Sequence, residues 1–172
     1  DDHQTVAITE LSSYIFVQDA AVLAARIDRL EPGEEGIRII DFKTGTGTPT
    51  KKEVPKHLQL ACYQLVLEAI LAGEDKEAAE KIGPLLAETE AKIQNASLVF
   101  VSKPEGKNKP DVPKVFSQYP LTNETKSEVT DNILQAAQVV SGAEFKAIEN
   151  GKCRSCSLRS CCPLMNEGEQ VL

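Results

Sequence analysis

The 172 residues predict a mixed α/β core, a central mixed sheet flanked by helices, with a short cysteine-rich appendix at the C-terminal end. Three observations lead there. β-Branched and apolar residues crowd the first quarter of the chain, helix-like and strand-like patterns alternate through the rest, and four of the five cysteines fall between Cys153 and Cys162. A chain of this length buries roughly 70% of the surface its unfolded form exposes, so it needs no disulfide framework to fold. The core is expected over residues 1–150 and the appendix over residues 151–172.

The segments Thr5–Ile8, Tyr14–Val17 and Val22–Leu30 read as three strands separated by polar or small residues. Pro32-Gly33-Glu34-Glu35-Gly36 is a turn signal, and Ile37–Lys43 is the return strand of a hairpin. Thr44–Thr50, with Gly45, Gly47 and Pro49, reads as loop. From Glu53 to Ala72 the apolar positions Leu58, Cys62, Leu65, Val66, Ala69 and Ile70 form a helical stripe that Gly73 ends. Asp75–Ile93 is a more polar helical stretch that Gly83-Pro84 should break or kink. Ala96–Ser102 is a short buried strand, and Val112–Leu121 is a further extended segment after a loop rich in proline and lysine. Asn123–Ala143 closes the core as a helix with Val129, Ile133, Leu134, Ala137 and Val140 on one side.

Composition narrows the function classes. At 41% hydrophobic and 26% charged the chain is globular, and no apolar run approaches the ~18 residues of a membrane span, so a soluble, cytoplasmic protein without a membrane partner is expected. It begins Asp1-Asp2-His3, without an initiator methionine or a signal peptide, and reads as a fragment of something longer. A net charge of −7 gives no general attraction to polyanions, so any nucleic-acid site must be a local basic patch. Lys51, Lys52 and Lys56 form one concentration of positive charge; Lys103, Lys107, Lys109 and Lys114 form another.

Asp41 is awkward as a purely structural residue, because it follows Ile37, Ile39 and Ile40 in a strand that otherwise looks buried, and buried carboxylates need partners. Asp41 and Lys43 share a strand face. If Glu31 and Ile37 close the hairpin, Asp28 lies opposite Ile40; a register shifted by one residue puts Asp28 and Asp41 on the same face. A structural reading pairs Asp41 with Lys43 or Arg26, and Asp28 with Arg29. A functional reading makes the two aspartates a site for a hard divalent cation with Lys43 as a point charge beside it. Gln59 and Tyr63, at i and i+4, stand on one face of the helix that follows.

The run Ala-Arg-Ile-Asp28-Arg-Leu, then Ile-Ile-Asp41-Phe-Lys43-Thr-Gly, then Gln59-Leu-Ala-Cys-Tyr63, then the late Cys-x-x-Cys cluster, resembles the RecB-like/AddB-like branch of the PD-(D/E)XK nuclease superfamily. The resemblance implies a restriction-endonuclease-like core in which Asp28 and Asp41 bind Mg²⁺ or Mn²⁺, Lys43 assists the attacking water, and Gln59 and Tyr63 support the site. It further implies a metal-dependent DNA exonuclease, the C-terminal part of a bacterial ATP-dependent UvrD/RecB-type helicase–nuclease acting in DNA repair and recombination. DNA and helicase domains of the same polypeptide are then the partners, with Lys51, Lys52 and Lys56 as candidate DNA contacts. Two elements of the family pattern are not found: an upstream helix carrying a histidine, since His3 reads as a frayed terminus and His57 as a helix-start residue, and an upstream cysteine. Both are expected to precede this segment in the intact protein.

Cys153, Cys156 and Cys162-Pro163 match the spacing of the iron–sulfur members of that branch, which implies a 4Fe–4S cluster completed by the missing cysteine. Zinc held by the local cysteines, Cys161 included, is the alternative. Adjacent side chains diverge, so Cys161 is expected to pack or to replace a ligand, and Cys62 is expected to be a buried small hydrophobe. Two further functions compete: a catalytically inactive DNA-binding or scaffold domain of a UvrD-like helicase, and a zinc-binding interaction module.

Overall fold

The computed structural model describes residues 6–45, 47–142 and 147–164, which divide into two compact units, residues 1–135 and 136–172. In the first unit five strands form one mixed sheet in the order β1 (Ile8–Val17), β2 (Ala21–Pro32), β3 (Ile37–Lys43), β4 (Ile93–Gly106), β5 (Lys109–Gln118). All neighbours are antiparallel except β3 and β4, which run parallel and are joined through α1 (Leu58–Leu71) and α2 (Lys76–Leu86). The long helix α3 (Asn123–Ser141) follows β5. The expected mixed α/β architecture is the one observed, and among the described residues no helix is long and apolar enough to cross a membrane.

Helix α1 is apolar around its circumference, as a helix enclosed by other elements must be. Leu60, Val66, Leu67 and Ile70 meet Ile27, Leu30, Ile37, Ile39 and Leu98 of the sheet, with Ile82 and Leu85 of α2 closing the same core. A parallel β3–β4 pair forces the chain to cross back along the sheet, so α1 begins at the carboxyl end of β3. The helix therefore starts beside the last residues of β3.

The hairpin register resolves the ambiguity left by the sequence. Pro32 pairs with Ile37 and Arg29 with Ile40, one residue away from closure by Glu31 and Ile37. Continued by one step, that register sets Asp28 across from Asp41. The turn is held by the Gly33 amide on the Gly36 carbonyl at 2.8 Å. Gly36 adopts φ +146°, and a Cβ there would meet the Lys92 carbonyl at 2.5 Å, so only glycine lets β3 start this close to the end of the crossover.

Several sequence expectations need correction. The two strands expected at Thr5–Ile8 and Tyr14–Val17 are one strand, β1; residues 1–5 lie outside the described residues. Polar Ser12-Ser13 does not interrupt β1, because the inward Ser13 hydroxyl donates to Asp75 Oδ2 at 2.7 Å. The helix expected from Glu53 starts at Leu58, after a separate 3-10 turn over Val54–Lys56. Helix α2 runs through Gly83-Pro84 rather than breaking there, since the proline lies in the last turn and removes only one backbone bond. It stops at Leu86, and Ile93 opens β4 instead of ending a helix. The supposed proline- and lysine-rich loop is strand: β4 and β5 continue as a hairpin whose turn is Lys107-Asn108. On α3 only Val129 of the expected stripe is buried, and Val140 is 76% exposed.

A buried amide pair secures the start of α1. Gln118, 2% exposed at the end of β5, donates through Nε2 to the carbonyls of Val54, Pro55 and His57 at 3.1–3.3 Å. Its Oε1 accepts from Gln64 Nε2 at 2.9 Å, while Gln64 Oε1 accepts from the Leu121 amide at 3.1 Å. Buried polar groups left without partners cost about 1–3 kcal/mol, so Gln118→Ala is expected to lower the unfolding free energy by at least that amount, read as a lower urea midpoint. A midpoint within error of the parent would show that the pair contributes nothing to stability.

Candidate active site

The carboxyl end of β3 and the first turns of α1 bring four polar side chains into one bonded group. Asp41 is 2% exposed. Its Oδ1 accepts from Gln59 Nε2 at 2.8 Å and from the Tyr63 hydroxyl at 3.2 Å. Gln59 Nε2 also donates to the Tyr63 oxygen at 2.8 Å, and Gln59 Oε1 accepts from Lys43 Nζ at 2.7 Å. The orientation of the Gln59 amide is dictated by its neighbours, since an ammonium can only donate and a carboxylate can only accept. Two residues apart on β3, Asp41 and Lys43 point the same way. Residues i and i+4 of α1 reach them together, as their spacing implies.

The second oxygen of Asp41 is treated differently. Oδ2 lies 2.7 Å from Lys43 Nζ as an ion pair, yet it is buried and accepts no hydrogen bond. A buried carboxylate oxygen that takes part in an ion pair but accepts no hydrogen bond keeps lone-pair capacity to spare. Asp28 approaches from β2, and its Oδ2 accepts from the Phe42 amide at 2.9 Å, which turns that carboxylate toward the strand that carries Asp41. The β1–β2 ladder skips this point: Thr9 pairs with Arg29 and Leu11 with Ile27, leaving Glu10 and Asp28 outside the pairing, with Glu10 at φ +56°. Consequently Ile27 and Leu30 both enter the core although they are three apart.

Of the ion pairs that a structural reading suggests, only Asp41 with Lys43 forms. Arg29 pairs with Glu31 at 2.5 Å and Arg26 pairs with Glu10, so Asp28 is not the partner of Arg29. Among the described residues no three His, Cys, Asp or Glu side chains gather into a metal-holding group. The chemistry of Asp41 Oδ2, a carboxylate oxygen that accepts no hydrogen bond, with the Asp28 carboxylate turned toward the same strand, nevertheless fits a hard cation, because Mg²⁺ keeps most of its coordination for water and phosphate oxygens.

Electrostatics sharpen the roles available to the neighbours. Burial pushes the Tyr63 phenol up, with the charges of Asp41 and Asp28 adding to the effect and the Gln59 bond opposing it. Tyr63 thus stays a neutral donor to Asp41. His57, half-buried at the N-cap of α1, is held below its ordinary value of 6.5 by burial and by the Lys43 charge, against a smaller pull from Asp41. Its Nδ1 is buried without a hydrogen-bond partner. Read from the sequence only as a helix-start residue, His57 in fact lies within the field of the site.

Lys51 and Lys52 are exposed in the turn before the 3-10 segment, and Lys56 is exposed at its end, on the connection between Lys43 and Gln59. Cys62, expected to be buried, is only half-buried on α1, and that burial pushes its thiol up. In the second unit Cys153–Ser155 and Arg159–Cys161 form two 3-10 turns. All four cysteines there are free thiols, Cys153 Sγ accepting from the Asn150 amide at 3.2 Å and Cys161 donating to the Leu158 carbonyl at 3.3 Å. The structure does not gather Cys153, Cys156 and Cys162 as a ligand set. His3 and Thr46 lie outside the described residues.

The sequence pattern of the PD-(D/E)XK nuclease superfamily matches residues 1–163. The chain belongs to this superfamily. Its match spans the sheet, both crossover helices and the cysteine turns. Among solved structures, one described as "Crystal structure of SSO0001" is 15% identical with a TM-score of 0.46, over 91% of this chain. The chain spans 60% of the length of that structure. No curated protein matches this superfamily member.

Little in the residue pattern points to His57, Gln64 or Gln118. Gln64 had a visible signal: it is the one amide inside the apolar run Cys62-Tyr63-Gln64-Leu65-Val66. For His57 the depressed value has a definite sign. The unfolded imidazole takes its proton first as pH falls through about 6.5, so stability declines there, before lowered carboxylates such as Glu53 add their loss at more acidic pH. His57→Gln is expected to flatten the stability profile between about pH 7 and 5.5, measured by thermal melts. An equally steep profile in the variant would rule this out.

Proposed function

We propose that this domain hydrolyses phosphodiester bonds of DNA with Mg²⁺ or Mn²⁺, and that Asp28, Asp41, Lys43, Gln59 and Tyr63 form its active site. The observation that carries the reading is Asp41 Oδ2, a buried carboxylate oxygen without a hydrogen bond, beside Lys43 and across the β2–β3 ladder from Asp28. Membership of the nuclease superfamily supports it. Asp28 and Asp41 would hold the cation. Bound there, it supplies a Lewis acid for the phosphate and a water of lowered pKa.

The remaining work falls to the chain itself. Lys43 commits one donor to Gln59 Oε1 and has further N–H groups for the attacking water or a non-bridging phosphate oxygen. Its charge offsets the negative charge that grows on the phosphate as the water oxygen bonds to phosphorus and the leaving oxygen departs. Gln59 acts as a strut, fixing Lys43 through one end and Asp41 through the other. Tyr63 holds the occupied oxygen of Asp41, which leaves Oδ2 for the cation. Lys51, Lys52 and Lys56 contact DNA phosphates next to the site.

The finer assignment is a RecB-like exonuclease domain of a UvrD/RecB-type helicase, supported by the order of the Asp28, Asp41–Lys43, Gln59–Tyr63 and cysteine motifs. In it Cys153, Cys156 and Cys162 hold a 4Fe–4S cluster with a ligand from elsewhere in the intact protein, with zinc as the alternative. Iron and acid-labile sulfide in the purified protein would support the cluster; zinc alone would replace it.

Asp41→Asn and Lys43→Ala are each expected to slow Mn²⁺- or Mg²⁺-dependent degradation of linear DNA by about 10²-fold or more, and Gln59→Ala by less. Parent-like cutting by Asp41→Asn or Lys43→Ala would sink the assignment. DNA binding by the parent without any cutting would favour the non-catalytic scaffold domain.

A further inference from the structure

Strand β3 ends at Lys43, which pairs with Phe100, but β4 continues to Gly106 and β5 returns from Lys109. Beyond Phe100 these two strands have no third strand beside them from β3, and they leave the sheet at the end where Asp41 and Lys43 lie. The Ser102 hydroxyl, at the root of this ribbon, meets the Thr44 carbonyl at 3.4 Å, one residue past Lys43. Beyond that root β4 runs four more residues, Lys103–Gly106, and the ribbon reaches about 13 Å from it. The ribbon, residues 101–114, carries Lys103, Lys107, Lys109 and Lys114 against Glu105 and Asp111, on a chain whose net charge is −7.

We propose that the β4–β5 ribbon is an arm that grips duplex DNA next to the active site, with Lys103, Lys107 and Lys109 contacting backbone phosphates along the groove the ribbon enters. The proposal deepens the nuclease reading and rests on it only in taking DNA as the partner. A two-stranded ribbon fits a major groove about 12 Å wide and about 8.5 Å deep. A single strand is the poorer fit, because residues 101–114 include no aromatic side chain on which bases could stack. An added protein strand fits poorly too: Pro104 lies opposite Pro113, where the ladder register is broken, and proline offers no N–H to a new neighbour. Lys107 and Lys109 are exposed, and the pairing of Lys109 with Glu105 at 2.9 Å is a solvent-exposed contact that phosphate can displace. Lys114 is set apart, lying 4.9 Å from the centre of the Phe116 ring.

The test uses the whole chain and its Lys103→Ala/Lys107→Ala/Lys109→Ala variant, with circular dichroism to verify folding. Fluorescence anisotropy is measured on a labelled duplex of about 30 base pairs and on one of its single strands, without divalent metal, across a salt series. The variant is expected to bind duplex at least about tenfold more weakly at 0.1 M salt, with a salt slope shallower by about 2–3, one phosphate contact contributing about 0.9. Single-strand affinity should change less. The matching triple arginine variant should restore duplex binding, and cleavage by the alanine variant should show a raised KM with kcat retained. Unchanged duplex affinity and slope, a loss confined to single strands, or a parent that binds no DNA would each overturn the arm. If the parent never cuts DNA but its duplex binding depends on these lysines, the nuclease reading fails and the arm stands; if cutting is normal with an unaltered KM in the variant, the arm fails and the nuclease reading stands.

Discussion

A carboxylate buried at the end of a central strand governs this molecule. Asp41 sits at 2% exposure between β2 and β4, where an unpartnered charge costs several kcal/mol, and the chain answers with Lys43, Gln59 and Tyr63 around it. The answer is incomplete by one oxygen. Two donors converge on Oδ1, while Oδ2 receives an ion pair and no hydrogen bond.

The parallel β3–β4 crossover is what makes such a site possible. Because the chain must travel back along the sheet, α1 starts where β3 stops, and its first turns lie over Asp41 and Lys43. Helix starts are not rigid by themselves, and His57 provides no side-chain cap here. Gln118 of β5 anchors this stretch in another way, donating to three carbonyls around the start of α1, while Gln64 ties Gln118 to the chain that leads into α3. The strand that supplies this anchor, β5, also forms the lysine ribbon together with β4.

Much of this was legible from residues alone. Strand period and helix period place Asp41 with Lys43 and Gln59 with Tyr63 on shared faces regardless of what surrounds them, and the family resemblance is what joined the two pairs. The return strand Ile37–Lys43 and the stop at Gly73 were legible because a turn cluster and a glycine at φ +82° are local requirements. Element lengths were not: Ser13 is tolerated within β1 only because Asp75, 62 residues away, accepts its hydroxyl. The lysines of the ribbon looked like a loop, since proline and lysine discourage strands and only pairing with β5 overrides that preference.

What the sequence determined by itself is therefore the local order: which residues alternate, which face a helix presents, and which motif follows which. Only the tertiary structure decided the register that sets Asp28 across from Asp41, because sliding a hairpin by one residue leaves every local preference intact while exchanging the faces. It likewise decided that His57 stands in the field of Lys43 and Asp41, and that Gln118 holds the helix start, since these depend on contacts between segments far apart in the chain. Periodicity is written residue by residue; proximity is not.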